Sequence, residues 1–183
     1  MSNHSISRRR WMCPPPPAVH PLHRWLTDRA SLTARLQRRC GQLTVKVLSQ
    51  QLTPVHRDES LLLGTRPGQR VVLREVLLLA DGNPVVYARS LLARHSLRRA
   101  WGVFAGIGNR PLGAALFADP QVWRGPLTLR RLDGRDSRYA RACAAAGISR
   151  REPLWARRSA FVRHGEPLVV CEVFLPAIRE LRR

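Results

Sequence analysis

The stretch from Val71 to Leu92 constrains the fold most, because it predicts a β-hairpin. Two apolar runs of strand length flank the tetrapeptide Ala80-Asp81-Gly82-Asn83. An Asp-Gly pair between β-branched runs is a strong short-range hairpin signal, since both central residues of a type I′ turn need positive φ. With Asp81 and Gly82 in the turn, Ala80 pairs with Asn83. The chain therefore contains at least one pair of antiparallel strands.

Counting outward from this turn predicts that Arg74 lies opposite Arg89, with both side chains on the same face of the sheet. Like charges directly opposite each other destabilise a sheet. Two interpretations remain open. In the first, the arginines avoid each other in water, or the register is shifted by one residue. In the second, an anion lies between them, and the hairpin contributes a site for a carboxylate-bearing ligand on the concave face of an antiparallel sheet.

The composition points to one domain with a strongly basic surface. The chain has 183 residues and a formal net charge of +20, which normally suggests nucleic acid or an anionic membrane as a partner. However, Lys46 is the only lysine, and the chain is rich in Ala, Leu, Gly and Pro. The arginines also form no single stripe interleaved with aromatic residues. We therefore attribute the charge mainly to compositional bias and expect no nucleic-acid partner.

The cysteines and the chain ends predict a metal-free, cytoplasmic protein. Cys13, Cys40, Cys143 and Cys171 have no zinc-type spacing, and the last two lie at apolar positions typical of a core. Without a disulfide pattern, a reduced cytoplasmic setting is the default. No apolar run approaches the length of a membrane span, and prolines interrupt the basic N-terminus where a signal peptide needs apolar residues. We expect a disordered tail over 1–17, one domain over 18–178 and a basic tail over 179–183.

Periodicity and capping residues predict short helices between the strands. The predicted helical segments are Pro21–Cys40 (read as two short helices with a corner), Ser96–Phe104, Pro111–Phe117 and Asp136–Ala146. The predicted strands outside the central hairpin are Leu43–Leu52, Leu127–Leu132 and the two halves of Leu154–Pro176, and Thr53–Gln69 is predicted to be a loop. The helices over 96–117 are joined by glycines, which fits either a mobile flap or a surface helical hairpin. The pattern predicts an α+β fold with a single antiparallel β-sheet of about six strands and helices packed on it.

The last unit, Leu154–Pro176, predicts a second hairpin that carries a carboxylate. With His164 and Gly165 in the turn, Arg157 lies opposite Glu172, and Glu172 has strongly apolar neighbours along the chain. A carboxylate in such surroundings needs a partner. Either Arg157 and Glu172 form a cross-strand ion pair, or Glu172 is an active-site carboxylate whose pKa is tuned by its surroundings.

These segments resemble a known family. The sequences LREVLLLADGNPVVYARS, NRPLGAALF and LWARRS…GEPLVVCEVFLP, with DRASLTARL before GQLTVKV, are similar to chorismate pyruvate-lyases, the first enzymes of bacterial ubiquinone synthesis. The similarity covers roughly Leu22–Pro176 and is weakest over Ala118–Pro153. It implies one antiparallel sheet whose helical flaps shut the ligand from solvent. It also implies conversion of chorismate to 4-hydroxybenzoate and pyruvate without a metal or organic cofactor, and we expect a monomer.

The resemblance also implies site residues. Arg74 matches the family's arginine for the ring carboxylate, and Glu172 matches its glutamate near the ring oxygen. Leu32 and Leu112 match the flap positions whose backbone N–H groups meet the carboxylate, although the family can carry Met at the position of Leu32. The strand pairing, and not the family, makes Arg89 a candidate second cation for the enolpyruvyl carboxylate. Catalysis would rest on Arg74 and Glu172.

Two alternatives belong to other classes of protein. The effector-sensing domains of some bacterial transcription regulators look similar to this lyase fold, so the chain could be a non-catalytic sensor of small carboxylates. Against this, the N-terminal tail is too short for a helix-turn-helix domain, and a pure anion sensor does not need Glu172. The second alternative, a basic nucleic-acid-binding protein, rests on charge alone and predicts a steep loss of affinity with salt.

Overall fold

The computed structural model of the protein describes residues 11, 15, 17, 18 and 20–181. Most of the predicted N-terminal tail, including Cys13, and residues 182–183 of the predicted C-terminal tail lie outside this range. Within the described part, no helix is long and apolar enough to cross a membrane.

One antiparallel sheet of seven strands forms the centre of the molecule, in the order β1-β2-β3-β7-β6-β4, with β5 also paired to β6. The strands are β1 (Leu43–Pro54), β2 (Arg70–Ala80), β3 (Asn83–Leu92), β4 (Trp123–Arg124), β5 (Thr128–Leu132), β6 (Leu154–Arg163) and β7 (Glu166–Phe174). The helices are α1 (His23–Thr27), α2 (Leu32–Gln37), α3 (Arg57–Leu63), α4 (Ser96–Arg99), α5 (Gly102–Ala105), α6 (Leu112–Ala118), α7 (Ser137–Ala146) and a terminal 3-10 helix (Pro176–Glu180). The predicted α+β class with a single antiparallel sheet is confirmed.

The central hairpin forms at the predicted turn but with a different register further out. Asp81 and Gly82 have φ of 49° and 83°, and Ala80 pairs with Asn83. A bulge follows, because Leu79 pairs with Pro84 whereas Leu78 pairs with Val86. Proline cannot donate to the strand ladder, so Pro84 in an internal strand favours such an irregularity.

The bulge makes the predicted pairing of Arg74 with Arg89 wrong. Arg74 instead pairs with Ser90, and Arg89 pairs with Glu75. Because side chains alternate along a strand, a shift of one residue puts the two arginines on opposite faces of the sheet. The alternative of a one-residue register shift is therefore the one that the structure confirms.

The second hairpin has the predicted register. His164 and Gly165 form the turn with φ of 50° and 77°, and Arg157 pairs with Glu172. Its two strands, β6 and β7, continue the sheet beside β3. The predicted corner between Pro21 and Cys40 is also present, since α1 ends at Thr27 and α2 begins at Leu32.

Four further segments differ from the predictions. The predicted loop over 53–69 contains α3, whose first turn carries Asp58 and Glu59. The predicted helix over 96–104 is broken into α4 and α5 at Ala100 and Trp101. The two-residue strand β4 and the terminal 3-10 helix were not predicted, because segments this short have no readable period.

Helices cover both faces of the sheet. On one face, α1, α2 and the 3-10 helix pack over one end, with a core around Leu26, Leu36 and Phe174, and α4–α6 pack over the other end around Trp101 and Phe104. On the opposite face, α7 and α3 pack on the sheet. β2 and β3 are consequently buried on both faces. In the gap between the two groups of helices on the first face, strand residues of the sheet border a cavity.

Candidate active site

The cavity lies in this gap, between the sheet and the helices α2 and α6. Its walls are largely apolar, with Val76, Leu116 and Phe161 among them. The polar side chains that line it are Thr33, Arg74, Ser90, Arg124, Arg157, Ser159 and Glu172. A concave apolar site with a few convergent polar groups is the usual form of a small-molecule site.

Arg74 is the buried cation at the floor of the cavity, with 2 % of its surface exposed. Its Nη2 donates to the backbone carbonyl oxygens of Gly108 (2.7 Å) and Arg110 (3.4 Å), in the turn before α6. Its Nε has no hydrogen-bond partner among the described residues, and burial lowers the pKa of its guanidinium. A buried charged group without a counter-charge is costly, and no carboxylate among the described residues pairs with Arg74 at the cavity.

Glu172 and Arg157 form the predicted cross-strand ion pair, and both line the cavity. Arg157 Nε donates to Glu172 Oε2, and Arg157 Nη1 donates to the carbonyl oxygens of Trp25 and Asp28, each at 2.9 Å. Arg157 is therefore held by the end of α1 and neutralised by Glu172. The two interpretations of Glu172, ion pair and cavity carboxylate, are compatible, because 17 % of its side chain remains exposed.

Leu32 and Leu112 are the first residues of α2 and α6, the two helices that cover the cavity. Backbone N–H groups in the first turn of a helix have no acceptor within the helix. The two helices also meet closely: a Cβ added to Gly113 would lie 3.0 Å from Thr33 Oγ1. Glycine at this position therefore allows α2 and α6, which we call the flaps, to touch over the cavity.

Arg124 lines the cavity although the sequence did not single it out. It lies on β4, the short edge strand within the segment 118–153 where the resemblance to the family is weakest. Its neighbours Trp123 and Gly125 carry no recognisable motif, so only the folded sheet brings this guanidinium to the site.

Arg89, the candidate second cation, is not brought to the cavity. It lies on the opposite face of the sheet, where its Nη1 donates to Glu59 Oε1 at 2.9 Å and its Nε lies 3.7 Å from Glu75 Oε1. Both carboxylates are buried. The shifted register explains this position, and the pairing argument for a ligand role of Arg89 no longer applies.

The cysteines behave as small core residues where they are described. Cys143 and Cys171 are buried, as predicted, and Cys40 is half-buried. Burial raises the pKa of the Cys171 thiol to about 12. Among the described residues, no group of three or more His, Cys, Asp or Glu side chains could hold a metal ion.

The fold and the cavity together define the class: a single-sheet α+β protein with a cavity between the sheet and its covering helices. Its fold is similar to the C-terminal domain of a histidine utilization repressor from Pseudomonas syringae pv. tomato (TM-score 0.56, 15 % identity, 78 % of this chain and 95 % of that chain). It is also similar to the C-terminal domain of PhnF (TM-score 0.55, 18 % identity, 76 % and 86 % of the two chains). At these identities the likeness concerns the fold alone.

Sequence comparison identifies the family. The family model for chorismate lyase matches residues 7–181, and the chain belongs to this family. A relative from Aromatoleum aromaticum, named "Probable chorismate pyruvate-lyase", is 58 % identical over 171 residues, which is 92 % of each chain. A relative of the same name from an Azoarcus species is 51 % identical over 179 residues, 96 % of this chain and 95 % of the relative.

Proposed function

We propose that this protein is a chorismate pyruvate-lyase, which converts chorismate to 4-hydroxybenzoate and pyruvate for ubiquinone synthesis. The observation that carries the proposal is Arg74, a buried cation that lines an apolar cavity and has no carboxylate partner among the described residues, in a chain of this family. Such a group fits a ligand that brings its own carboxylate. Chorismate carries one carboxylate on its ring and a second on its enolpyruvyl side chain.

Arg74 would hold the ring carboxylate. A guanidinium presents its N–H groups in a planar fork that matches a carboxylate. The backbone N–H groups of Leu32 and Leu112 would complete this site from above, since both residues begin a cavity-lining helix. Because Arg74 also donates to the carbonyl oxygens of Gly108 and Arg110, it joins the ligand site to the flap that carries α6.

Glu172 would act near the ether oxygen and the ring hydroxyl, as a hydrogen-bonding or proton-handling group. Its partner Arg157 is anchored by two backbone carbonyl groups. This anchoring holds the carboxylate at one point of the cavity wall. A fixed orientation is what a proton-handling group needs, since such catalysis depends on reach and alignment.

The main contribution that the reaction requires from the protein is to position the substrate. The ether C–O bond breaks, the ring loses one hydrogen and becomes aromatic, and the enolpyruvyl fragment leaves as pyruvate with that hydrogen in its methyl group. No water is consumed, so a closed apolar cavity suits the chemistry. Holding the dianion in a reactive conformation can contribute several kcal/mol, and fixed cations near the carboxylates add to this.

The decisive experiment mixes the purified protein with chorismate in a chelator and follows both products. Equal amounts of pyruvate and 4-hydroxybenzoate, well above the spontaneous rate, are the expected result. Tight binding of 4-hydroxybenzoate without turnover would favour the carboxylate-sensing alternative, which the likeness of the fold to the C-terminal domain of a repressor keeps in view. The absence of both chorismate turnover and 4-hydroxybenzoate binding would contradict the proposal.

We further infer a cytoplasmic monomer that binds no nucleic acid. Supporting this, several arginines that produce the high net charge are engaged in ion pairs within the fold, including Arg89, Arg138 and Arg158. Sedimentation equilibrium would test the monomer. A titration with duplex DNA at two salt concentrations would test the absence of nucleic-acid binding, because a true binder loses affinity steeply as salt rises.

A further inference from the structure

Arg124 is, beside Arg74, the other cation of the cavity lining that has no carboxylate partner, and its surroundings differ from those of Arg74. Its Nε donates to Ser159 Oγ at 3.1 Å, and its Nη1 donates to the backbone carbonyl oxygen of Arg29, in the loop between α1 and α2. The guanidinium carbon lies 5.3 Å from the ring centres of both Phe117 and Phe161. Arg124 is thus held between the sheet, a flap loop and two aromatic rings.

None of these partners carries a negative charge. Among the described residues, no carboxylate oxygen lies within 4.0 Å of Arg124 or of Arg74, whereas Arg157 is paired with Glu172. Burial, together with the nearby Arg157, lowers the pKa of Arg124 to about 10. A half-buried cation with neutral partners is expensive to maintain. Arg124, like Arg74, is therefore a charge in the cavity wall that the described residues of the fold do not neutralise.

The charge balance of the cavity sets the kind of ligand. The lining contains three guanidiniums and one carboxylate, and the pair of Arg157 with Glu172 cancels. Arg74 and Arg124 remain, which leaves two positive charges on separate strands, β2 and β4. A ligand with one carboxylate would satisfy one of them, and a dicarboxylate would satisfy both.

We propose that Arg124 binds the second carboxylate of the substrate, the one on the side chain that leaves as pyruvate. This inference rests on the proposed function and assigns a specificity-determining residue to the same site. Arg74 then selects for the ring carboxylate, which substrate and aromatic product share. Arg124 selects for the group that only the substrate carries on the ring.

The position of Arg124 also suits bond cleavage. When the ether C–O bond breaks, negative charge develops on the departing enolpyruvyl oxygen, close to its own carboxylate. A preorganised cation at this end of the ligand stabilises that charge in a site from which water is excluded. Arg124 therefore affects the formation of the transition state as well as the binding of substrate.

The test compares two ligands in three variants. In Arg124→Gln, we expect kcat/KM for chorismate to fall by about 30-fold or more, as for loss of one buried charge contact, while the Kd for 4-hydroxybenzoate changes by less than about twofold. Arg124→Lys keeps the charge and should recover part of the loss. Arg70→Gln is the matched control, because Arg70 is exposed on β2 outside the cavity; both ligands should behave as in the wild type. Circular dichroism of each variant verifies the fold.

Two outcomes overturn the proposal. The first is an unchanged kcat/KM in Arg124→Gln. The second is an equal loss of affinity for chorismate and 4-hydroxybenzoate, which would mean that Arg124 shapes the cavity without binding the second carboxylate. Failure of the proposed function looks different. If the wild type binds chorismate without cleaving it, the same comparison is made on the two Kd values, and selective loss of chorismate binding still supports the assignment. Absence of chorismate binding to the wild type overturns both.

Discussion

The two faces of the sheet both contain buried arginines, but they treat the charges in opposite ways. On the face away from the cavity, every buried charge has an opposite charge within 4.0 Å. The carboxylates of this network are Asp58, Glu59, Glu75 and Asp136, and its guanidiniums are Arg89, Arg130, Arg138, Arg141 and Arg158. On the cavity face, Arg74 and Arg124 have no such partner among the described residues.

This difference separates structural charges from charges kept for a ligand. A buried cation that is fully paired holds elements together, and here the network joins α3 and α7 to the sheet through Glu59 and Arg138. A buried cation with neutral partners only costs stability until a ligand supplies the counter-charge. The number of arginines therefore does not indicate the proposed binding site, whereas the cavity-lining arginines without a carboxylate partner do.

The largest expected effect is on the face away from the cavity, which we call the paired face because its buried charges are paired. Arg89→Gln leaves Glu59 and Glu75 short of a partner, and breaking a buried pair from one side costs about 3–5 kcal/mol. We expect the free energy of unfolding, measured by urea denaturation, to fall by that order. Adding Glu59→Gln should restore part of the loss. The Kd for 4-hydroxybenzoate of the folded variant should stay unchanged, and a selective loss of ligand binding would contradict the comparison.

The reverse pattern is expected for Arg74→Gln on the cavity face. Removing the ring-carboxylate partner should lower kcat/KM for chorismate by roughly 30- to 1,000-fold, corresponding to about 2–4 kcal/mol for a buried charged contact. The free energy of unfolding should change little, because Arg74 has no ion-pair partner to abandon. Initial rates and urea denaturation on the same preparation test both halves. An unfolding free energy that falls as far as in Arg89→Gln would break the distinction between the faces.

Glu172→Gln should lower kcat by about 100-fold, the lower range for loss of a general acid or base. The amide oxygen can still accept from Arg157, so the local geometry is kept. Steady-state rates of pyruvate formation measure the effect. Glu166→Gln is a matched control, since Glu166 also accepts from a buried partner, Ser96, but lies at the turn end of the same strand, outside the cavity lining; it should retain kcat. Equal losses in the two variants would argue against a role for Glu172 in proton handling.

The smallest effect is a loss of stability in acid that originates on the paired face. Burial alone would raise the pKa of Asp58, but Arg138, Trp11 and Arg158 outweigh it and lower the pKa to about 2. A carboxyl whose pKa is lower in the folded state stabilises the fold above its unfolded pKa, near 3.9, and loses that contribution as pH falls through its folded pKa. With 32 % of its side chain exposed, the ion pairs of Asp58 are screened by solvent. Asp58 should therefore contribute about 1–2 kcal/mol, less than the roughly 2.6 kcal/mol that the full difference in pKa would give, and this contribution disappears between about pH 4 and pH 2.

Urea denaturation between pH 5 and pH 2.5 tests this acid effect. Arg138 also lowers the pKa of Asp136 against the effect of burial, so the paired face as a whole should weaken in this range. Asp58→Asn should flatten the curve. A curve that stays equally steep in this variant would place the acid-sensitive carboxylates elsewhere.

Local sequence patterns were sufficient for both hairpin turns and for the class of the fold. Asp81-Gly82 and His164-Gly165 adopt positive φ where they were expected to, because the residues that tolerate this conformation are few. The alternation of β6 and β7 placed Arg157 opposite Glu172. The resemblance to the family indicated Arg74, Glu172, Leu32 and Leu112, and all four line one cavity.

The sequence by itself thus determined both hairpin turns, most of the strands and the antiparallel sheet, since turn chemistry and strand period depend on neighbours in the chain. The tertiary structure alone excluded Arg89 from the cavity and added Arg124 to it. The bulge after Pro84 turned Arg89 to the opposite face, and the pairing of β4 with β6 brought Arg124 into the cavity from the segment where the resemblance to the family is weakest. The physical reason is that burial and charge pairing depend on contacts between distant strands, and a single shifted residue reverses the face to which a side chain points.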